Sequence, residues 1–144
     1  MAIHAQLDIE FTSAIMQLDL IKQLIAIGWT FNDYNNQQTY LPVHDADNYN
    51  WQSDTLDQDT LFQIFQKKYG LKENIGIVMT WKDTQVGGEF IFSINDGVQI
   101  SPSINRQLIA DSSITNISWY LERTIYLLHK KGISFISFSY LEHL

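Results

Sequence analysis

From His4 to Phe11 apolar and polar residues alternate without a break. Ala5, Leu7, Ile9 and Phe11 fall on one side, and His4, Gln6, Asp8 and Glu10 on the other. A period of two predicts a half-buried strand. The period then changes. Thr12 or Ser13 offers an N-cap oxygen, and from Ala14 to Ile27 apolar residues recur at helical spacing, with Leu18, Ile21 and Ile25 flanked by Leu20, Leu24 and Ile27. Gly28 stands where a helix ends in a left-handed residue. Trp29 to Tyr34 and Thr39 to Val43 read as short extended pieces around an Asn35-Asn36 turn, and Pro42 makes the second an edge strand at most. A polar loop covers His44 to Ser53.

A second helix is predicted from about Asp57 to Tyr69. Leu61, Phe62, Ile64 and Phe65 face inward, Asp57 and Asp59 suit its first turn, Lys67 and Lys68 its last, and Gly70 stops it. Ile75 to Trp81 is strongly β in composition. After a polar connection from Lys82 to Gly88, Glu89 to Ile94 reads as a strand. Asn95-Asp96-Gly97 is a hairpin signal, and Val98 to Ser101 is a strand ending before Pro102. These three strands predict an antiparallel meander. Residues 102–113 read as loop. A third helix is expected from Thr115 to Lys131, its core stripe formed by Ile117, Leu121, Ile125 and Leu128, with Gly132 closing it. Trp119 lies off that stripe and is expected to cover a core edge. Ile133 to Leu141 is the last strand, with apolar residues on both sides.

The pattern predicts one α+β domain over residues 1–144, a mainly antiparallel sheet of about five to six strands with three helices packed on it. It leaves open where the first and last strands insert. The 144 residues are 45% hydrophobic, 17% charged and 13% aromatic, a composition that supports a packed core and excludes a disordered chain. There is no cysteine, which excludes disulfides, thiolate metal sites and a cysteine nucleophile. No apolar run reaches the ~18 residues of a membrane span. Met1 to Phe11 lacks the basic and apolar regions of a signal peptide, so the expected location is the cytoplasm.

Charge adds the most. The net charge is −7, which argues against nucleic acid as a partner. Residues 1–66 carry nine acidic side chains and one basic one, Lys22, whereas residues 67–144 carry seven acidic and eight basic. From Gln23 to Gln66 there is no Lys or Arg, but there are six aspartates interleaved with Trp29, Phe31, Tyr34, Tyr40, Tyr49 and Trp51. Two readings fit. Asp and Asn form turns and cap helices, which makes the stretch a solvated set of loops. Alternatively, carboxylates speed encounter with a basic protein and aromatic side chains anchor it. On the second reading the binding residues are Asp33, Tyr34, Tyr40, Asp45, Asp47, Tyr49, Trp51 and Asp54.

No catalytic motif is present. His44-Asp45-Ala46-Asp47 holds metal-ligand residue types, but no further ligand accompanies it at a useful spacing, so no metal or other cofactor is expected. His4, His129 and His143 are scattered. Gly87-Gly88 lacks the Lys and Ser/Thr of a phosphate loop and leads into a strand.

In style the whole chain resembles the immunity proteins of contact-dependent inhibition and other polymorphic toxin systems. The residues behind the likeness are Ile27-Gly28-Trp29, the acidic aromatic stretch from Asp33 to Asp59, Trp81-Lys82-Asp83 with Gly87-Gly88, and Ser118-Trp119-Tyr120-Leu121-Glu122. The resemblance implies a bacterial, intracellular, non-enzymatic protein that binds and neutralises one cognate toxin domain, often a basic nuclease. No functional residue is carried over from a family member. A homodimer is compatible with that role. The alternative is a small cytoplasmic ligand-binding domain or enzyme with a pocket between sheet and helix.

Overall fold

A computed structural model describes residues 4–12, 15–94 and 97–143. β1 (His4–Phe11) follows its alternation: Ala5, Leu7, Ile9 and Phe11 are buried, and His4, Asp8 and Glu10 are exposed. α1 (Gln17–Ile27) buries Leu20, Ile21 and Leu24. It begins later than its periodicity suggests, after Met16, which makes no side-chain cap bond. Thr12 lies too far ahead of the helix to cap it, and its backbone N–H donates to the Ser134 carbonyl at 3.1 Å. Ser13, the other expected cap, lies outside the described residues. Gly28 ends α1 with φ +131°, and a Cβ there would lie 2.8 Å from the Trp81 ring.

Three short strands follow or bracket turns: β2 (Trp29–Thr30), β3 (Gln38–Tyr40) and β4 (Gln52–Asp54). α2 (Gln58–Gly70) is capped by Asp57, whose carboxylate accepts from the Thr60 N–H at 2.7 Å. Gly70 is its last helical residue, and the left-handed position falls instead on Lys72, at φ +58°. β5 (Ile75–Trp81), β6 (Gly87–Phe92) and β7 (Gly97–Ile104) form the expected antiparallel meander. The Asn95-Asp96 turn lies outside the described residues. β7 runs through Pro102 instead of stopping before it. A register shift opposite, between Gly87 and Glu89, accommodates a residue that cannot donate to the ladder.

The third helix is broken at Thr124 (φ −122°, ψ −84°) into α3 (Ile117–Arg123) and α4 (Ile125–Lys130). The Thr124 hydroxyl donates to the Tyr120 carbonyl at 2.7 Å. That backward side-chain bond is a known source of helix bending. β8 (Phe135–His143) is the last strand.

The sheet has eight strands, more than the five to six expected, in the order β4-β3-β5-β6-β7-β1-β8, with β2 also pairing with β5. All pairs are antiparallel. The additional strands are two or three residues long, too short to carry a readable period. β1 sits between β7 and β8, so the two ends of the described chain lie side by side.

The helices cover one face of this sheet. Leu7, Ile9, Ile75, Ile77, Met79, Phe90, Phe92 and Ile100 meet Leu20, Ile21 and Leu24 of α1, Leu61 and Phe65 of α2, and Leu128 of α4. Each fully buried Leu or Phe here contributes about 1.5–3 kcal/mol. Trp29, 1% exposed, anchors one end, its indole N–H donating to the Arg123 carbonyl at 2.8 Å and its ring set edge-on to Trp81, Phe90 and Trp119. Trp119 is half-buried at that margin, with the Arg123 guanidinium 4.3 Å over its ring. No helix among the described residues is long and apolar enough to cross a membrane.

Candidate binding surface

The second face of the sheet carries no helix among the described residues. The polar half of β1 points there, and strand register sets its neighbours. Ser139, Asp8, Gln99, Ile91 and Gly76 form one row across five strands, and Ser137, Glu10 and Gly97 a second. Val78, Glu89 and Ser101 form a third. Neighbouring rows of the same face lie about 7 Å apart along a strand, so Asp8 and Glu10 present two carboxylates side by side.

The surface is furrowed. An open groove of about 360 Å³ is lined by Asp8, Glu10, Gln99, Ser137 and Ser139, with Tyr49 and Asn74 at its side. A second depression of about 500 Å³ is lined by His4, Glu89, Ser101, Ser103 and Arg106. Nearer β3 the face is closed by Leu41 and Trp51, which lie so tightly over Gly76 that a Cβ there would meet them at 2.5–2.9 Å.

The strands of this face carry mainly acidic charge, with the Arg106 guanidinium at the margin of the second depression. No strand contains a Lys or Arg, while the strands hold Asp8, Glu10, Asp54, Glu89 and Glu142. All nine cationic side chains sit on helices or connections. The acidic groups in ion pairs with Lys, Arg or His are Glu73, Glu122 and Glu142, so none of the nine carboxylates of residues 1–66 has a cationic partner among the described residues. Among the described residues Asp8 accepts only from Gln6 in its own strand, and Glu10 from the Ser137 hydroxyl at 3.4 Å. Glu89 is half-buried, and desolvation pushes its pKa above the ordinary value.

The eight residues expected to bind a partner divide into groups. Asp33 is 7% exposed, and its carboxylate accepts from the Asn35 N–H (2.7 Å), the Gln37 N–H (3.0 Å) and the Thr39 hydroxyl (2.7 Å). Asp45 is 6% exposed and accepts from the N–H groups of Tyr49 and Asn50, both at 2.9 Å. These two carboxylates organise turns. Tyr40 donates to Asp54 at 2.8 Å on the outer β3–β4 ladder, and Tyr34 projects from the turn that Asp33 holds. Tyr49 and Trp51 reach the open face, and Asp47 accepts from Asn74 beside them.

The loop that delivers Tyr49 is unusual. His44, Ala46, Asp47 and Tyr49 all have φ between +54° and +67°. Left-handed backbone costs a non-glycine residue roughly 1–2 kcal/mol, a cost the Asp45 bonds offset. In this conformation the His44 side chain is 77% exposed and 3.6 Å from Glu73, turned to a different partner from Asp45 and Asp47. Among the described residues no three metal-type ligands converge.

Asp8, Glu10, Glu89, Gln99, Ser137 and Ser139 were not among the sequence-derived candidates. The alternation of β1 does mark Asp8 and Glu10 as outward. That this exterior is an uncovered sheet centre depends on pairings more than 100 residues apart in sequence, such as Asp8 with Ser139. Comparison of the chain with protein-family models, curated proteins and solved structures gives no match.

Proposed function

We propose that this is an immunity-type protein, which acts in the cytoplasm by binding and neutralising a basic toxin domain, with the open sheet face as the docking surface. One observation carries the reading: a helix-free face with Asp8, Glu10 and Glu89 on it, in a sheet whose described strands hold no Lys or Arg. A cationic partner would supply the missing counter-charges. Glu89 would gain most, because a half-buried carboxylate interacts more strongly with a facing cation than an exposed one does.

Tyr49, Trp51 and the Tyr40–Asp54 pair extend the surface toward β4 and add aromatic anchors. On this reading Asp33 and Asp45 contribute by shaping the loops. Function is by occupying a surface, with no catalytic step.

The test is binding to purified basic toxin domains, beginning with any encoded by a neighbouring gene. Asp8→Lys, Glu10→Lys and Glu89→Lys combined should slow association by about tenfold or more at low salt, and raising salt should slow the wild-type protein toward the variant. Unchanged association kinetics in the triple variant would remove the open face from the interface.

A further inference from the structure

Lys68 is the most deeply buried charged side chain among the described residues, at 1% exposed. Its ammonium donates to the Pro42 carbonyl at 2.7 Å and to Glu73 at 3.3 Å. The Glu73 carboxylate in turn accepts the His44 backbone N–H at 3.0 and 3.2 Å. Pro42 and His44 are the entry to the loop that ends in Tyr49, so the pair grips that entry at two backbone groups. Asp45 holds the exit, accepting from the Tyr49 and Asn50 N–H groups. Packing contributes little. From His44 to Asn50 only Asp45 is buried, and beneath the loop lies a hollow of about 130 Å³ lined by polar groups that include Lys68, Glu73 and Asn74. Left-handed backbone at His44, Ala46, Asp47 and Tyr49 makes this conformation costly, and the polar ties are what keep it.

We propose that Lys68 and Glu73 are positioning residues for binding: their ion pair fixes the 44–49 loop in the free protein, so that Tyr49 stands as a rigid aromatic anchor beside the groove that holds Asp8 and Glu10. Tyr49 is 48% exposed and lines that groove. This inference deepens the proposed function and rests on it. Ordering a loop at the moment of binding costs affinity, and a loop that is already ordered avoids the cost. Stability does not account for the pair, because apolar residues of similar volume often serve a folded core as well as a buried ion pair does. What the pair adds is direction: ammonium and carboxylate each reach a different backbone group of the loop entry. Both side chains lie under the loop and act through Tyr49.

Lys68→Met combined with Glu73→Gln removes one charge of each sign and leaves the net at −7, so long-range attraction for a basic partner is unchanged. In the chain alone, the Tyr49 and Asn50 amides should exchange about tenfold faster in the variant, with β5 and β6 amides unaffected. From a purified basic toxin domain, dissociation should quicken by about tenfold while association stays within about twofold. Tyr49→Ala should raise the dissociation constant by about tenfold in the wild-type background and by less than about threefold in the variant, where the anchor is already loose. Should the double substitution unfold the chain, Glu73→Gln alone, at a side chain 20% exposed, should speed exchange of the same two amides. Unaltered loop exchange, or equal costs of Tyr49→Ala in the two backgrounds, overturns the inference. Unchanged association of the variant with lysine at positions 8, 10 and 89 instead overturns the docking surface, and the inference with it.

Discussion

Glu89 stands directly across the β5–β6 ladder from Val78, so a carboxylate shares its row with an aliphatic side chain only 3% exposed. Glu89 has no hydrogen-bond or ion-pair partner among the described residues. Burial raises its pKa above the ordinary 4.5. For an acid, a raised folded-state value means that ionisation opposes folding. The penalty is fully present above the folded value and absent below 4.5. Glu89→Gln should therefore raise the melting temperature at neutral pH, by about 1–3 °C for a chain of this length, and the gain should vanish as pH falls below 4.5. On the proposed function, the same substitution should also weaken binding of a basic partner. A variant destabilised at pH 7 would contradict the assigned environment.

Carboxylates that shape loops and carboxylates that face solvent should separate cleanly on mutation. Asp33→Ala leaves two N–H groups and one hydroxyl without their acceptor and should cost about 2–3 kcal/mol, read by denaturant unfolding. Asp54→Asn changes an exposed group bonded to Tyr40 and should stay within about 0.5 kcal/mol. Equal losses at the two positions would show that Asp33 is not the scaffold of its turn.

Glycines give a sharper contrast. A Cβ at Gly87 would lie 1.9 Å from the Met79 carbonyl oxygen, and one at Gly88 the same distance from that of Ser101. Both obstacles are backbone and cannot swing away. Gly87→Ala or Gly88→Ala should displace β6 from its neighbours and cost more than about 3 kcal/mol, leaving little folded protein. At Gly70, in the last turn of α2, a Cβ meets nothing within 4 Å. Gly70→Ala should stabilise by about 0.4–1 kcal/mol. Thermal melts of the three variants provide the comparison.

What the sequence revealed and what it hid follow from the range of the interactions. The alternation of β1, the start of α2 near Asp57 and the meander from Ile75 onward are local, and each was legible, although Asp57 caps the helix from outside instead of sitting in its first turn. Gly87-Gly88 could be separated from a phosphate loop, but the reason for two glycines, close backbone on both sides, needed the ladder. Lys68 reads as a cation suited to a helix end. It is instead 1% exposed, donating to the Pro42 carbonyl at 2.7 Å and lying 3.3 Å from Glu73. Asp33 and Asp45 have the composition of a binding surface and the geometry of turn centres, a difference carried by which N–H groups fold back onto them. The open face was invisible because it requires β1 to lie between β7 and β8.

Tyr140 donates a short hydrogen bond to Glu142, and the Thr115 N–H donates to the same carboxylate at 3.1 Å, with the Arg106 guanidinium 3.7 Å away. Burial alone would push Glu142 up, but the bonds from Tyr140 and Thr115 and the charge of Arg106 outweigh it and hold the group below its ordinary 4.5. The resulting stability is present above 4.5 and is lost as pH falls through the lowered value. Tyr140 behaves oppositely. Burial and the bond to Glu142 push it up to about 12, so its contribution is full below the ordinary value of 10.0 and is lost as pH rises through 12. Glu142→Gln removes a charged acceptor. It should cost about 1.5–3 kcal/mol at neutral pH, flatten the acid limb of the stability profile and bring the Tyr140 titration down toward 10, with burial retaining part of the shift. Tyr120, raised to about 12 chiefly by burial, is the internal reference: its titration should keep its high value in the variant. Tyrosinate absorbance during alkaline titration reads both groups, and an unchanged curve in Glu142→Gln would mean that the carboxylate does not hold the Tyr140 proton.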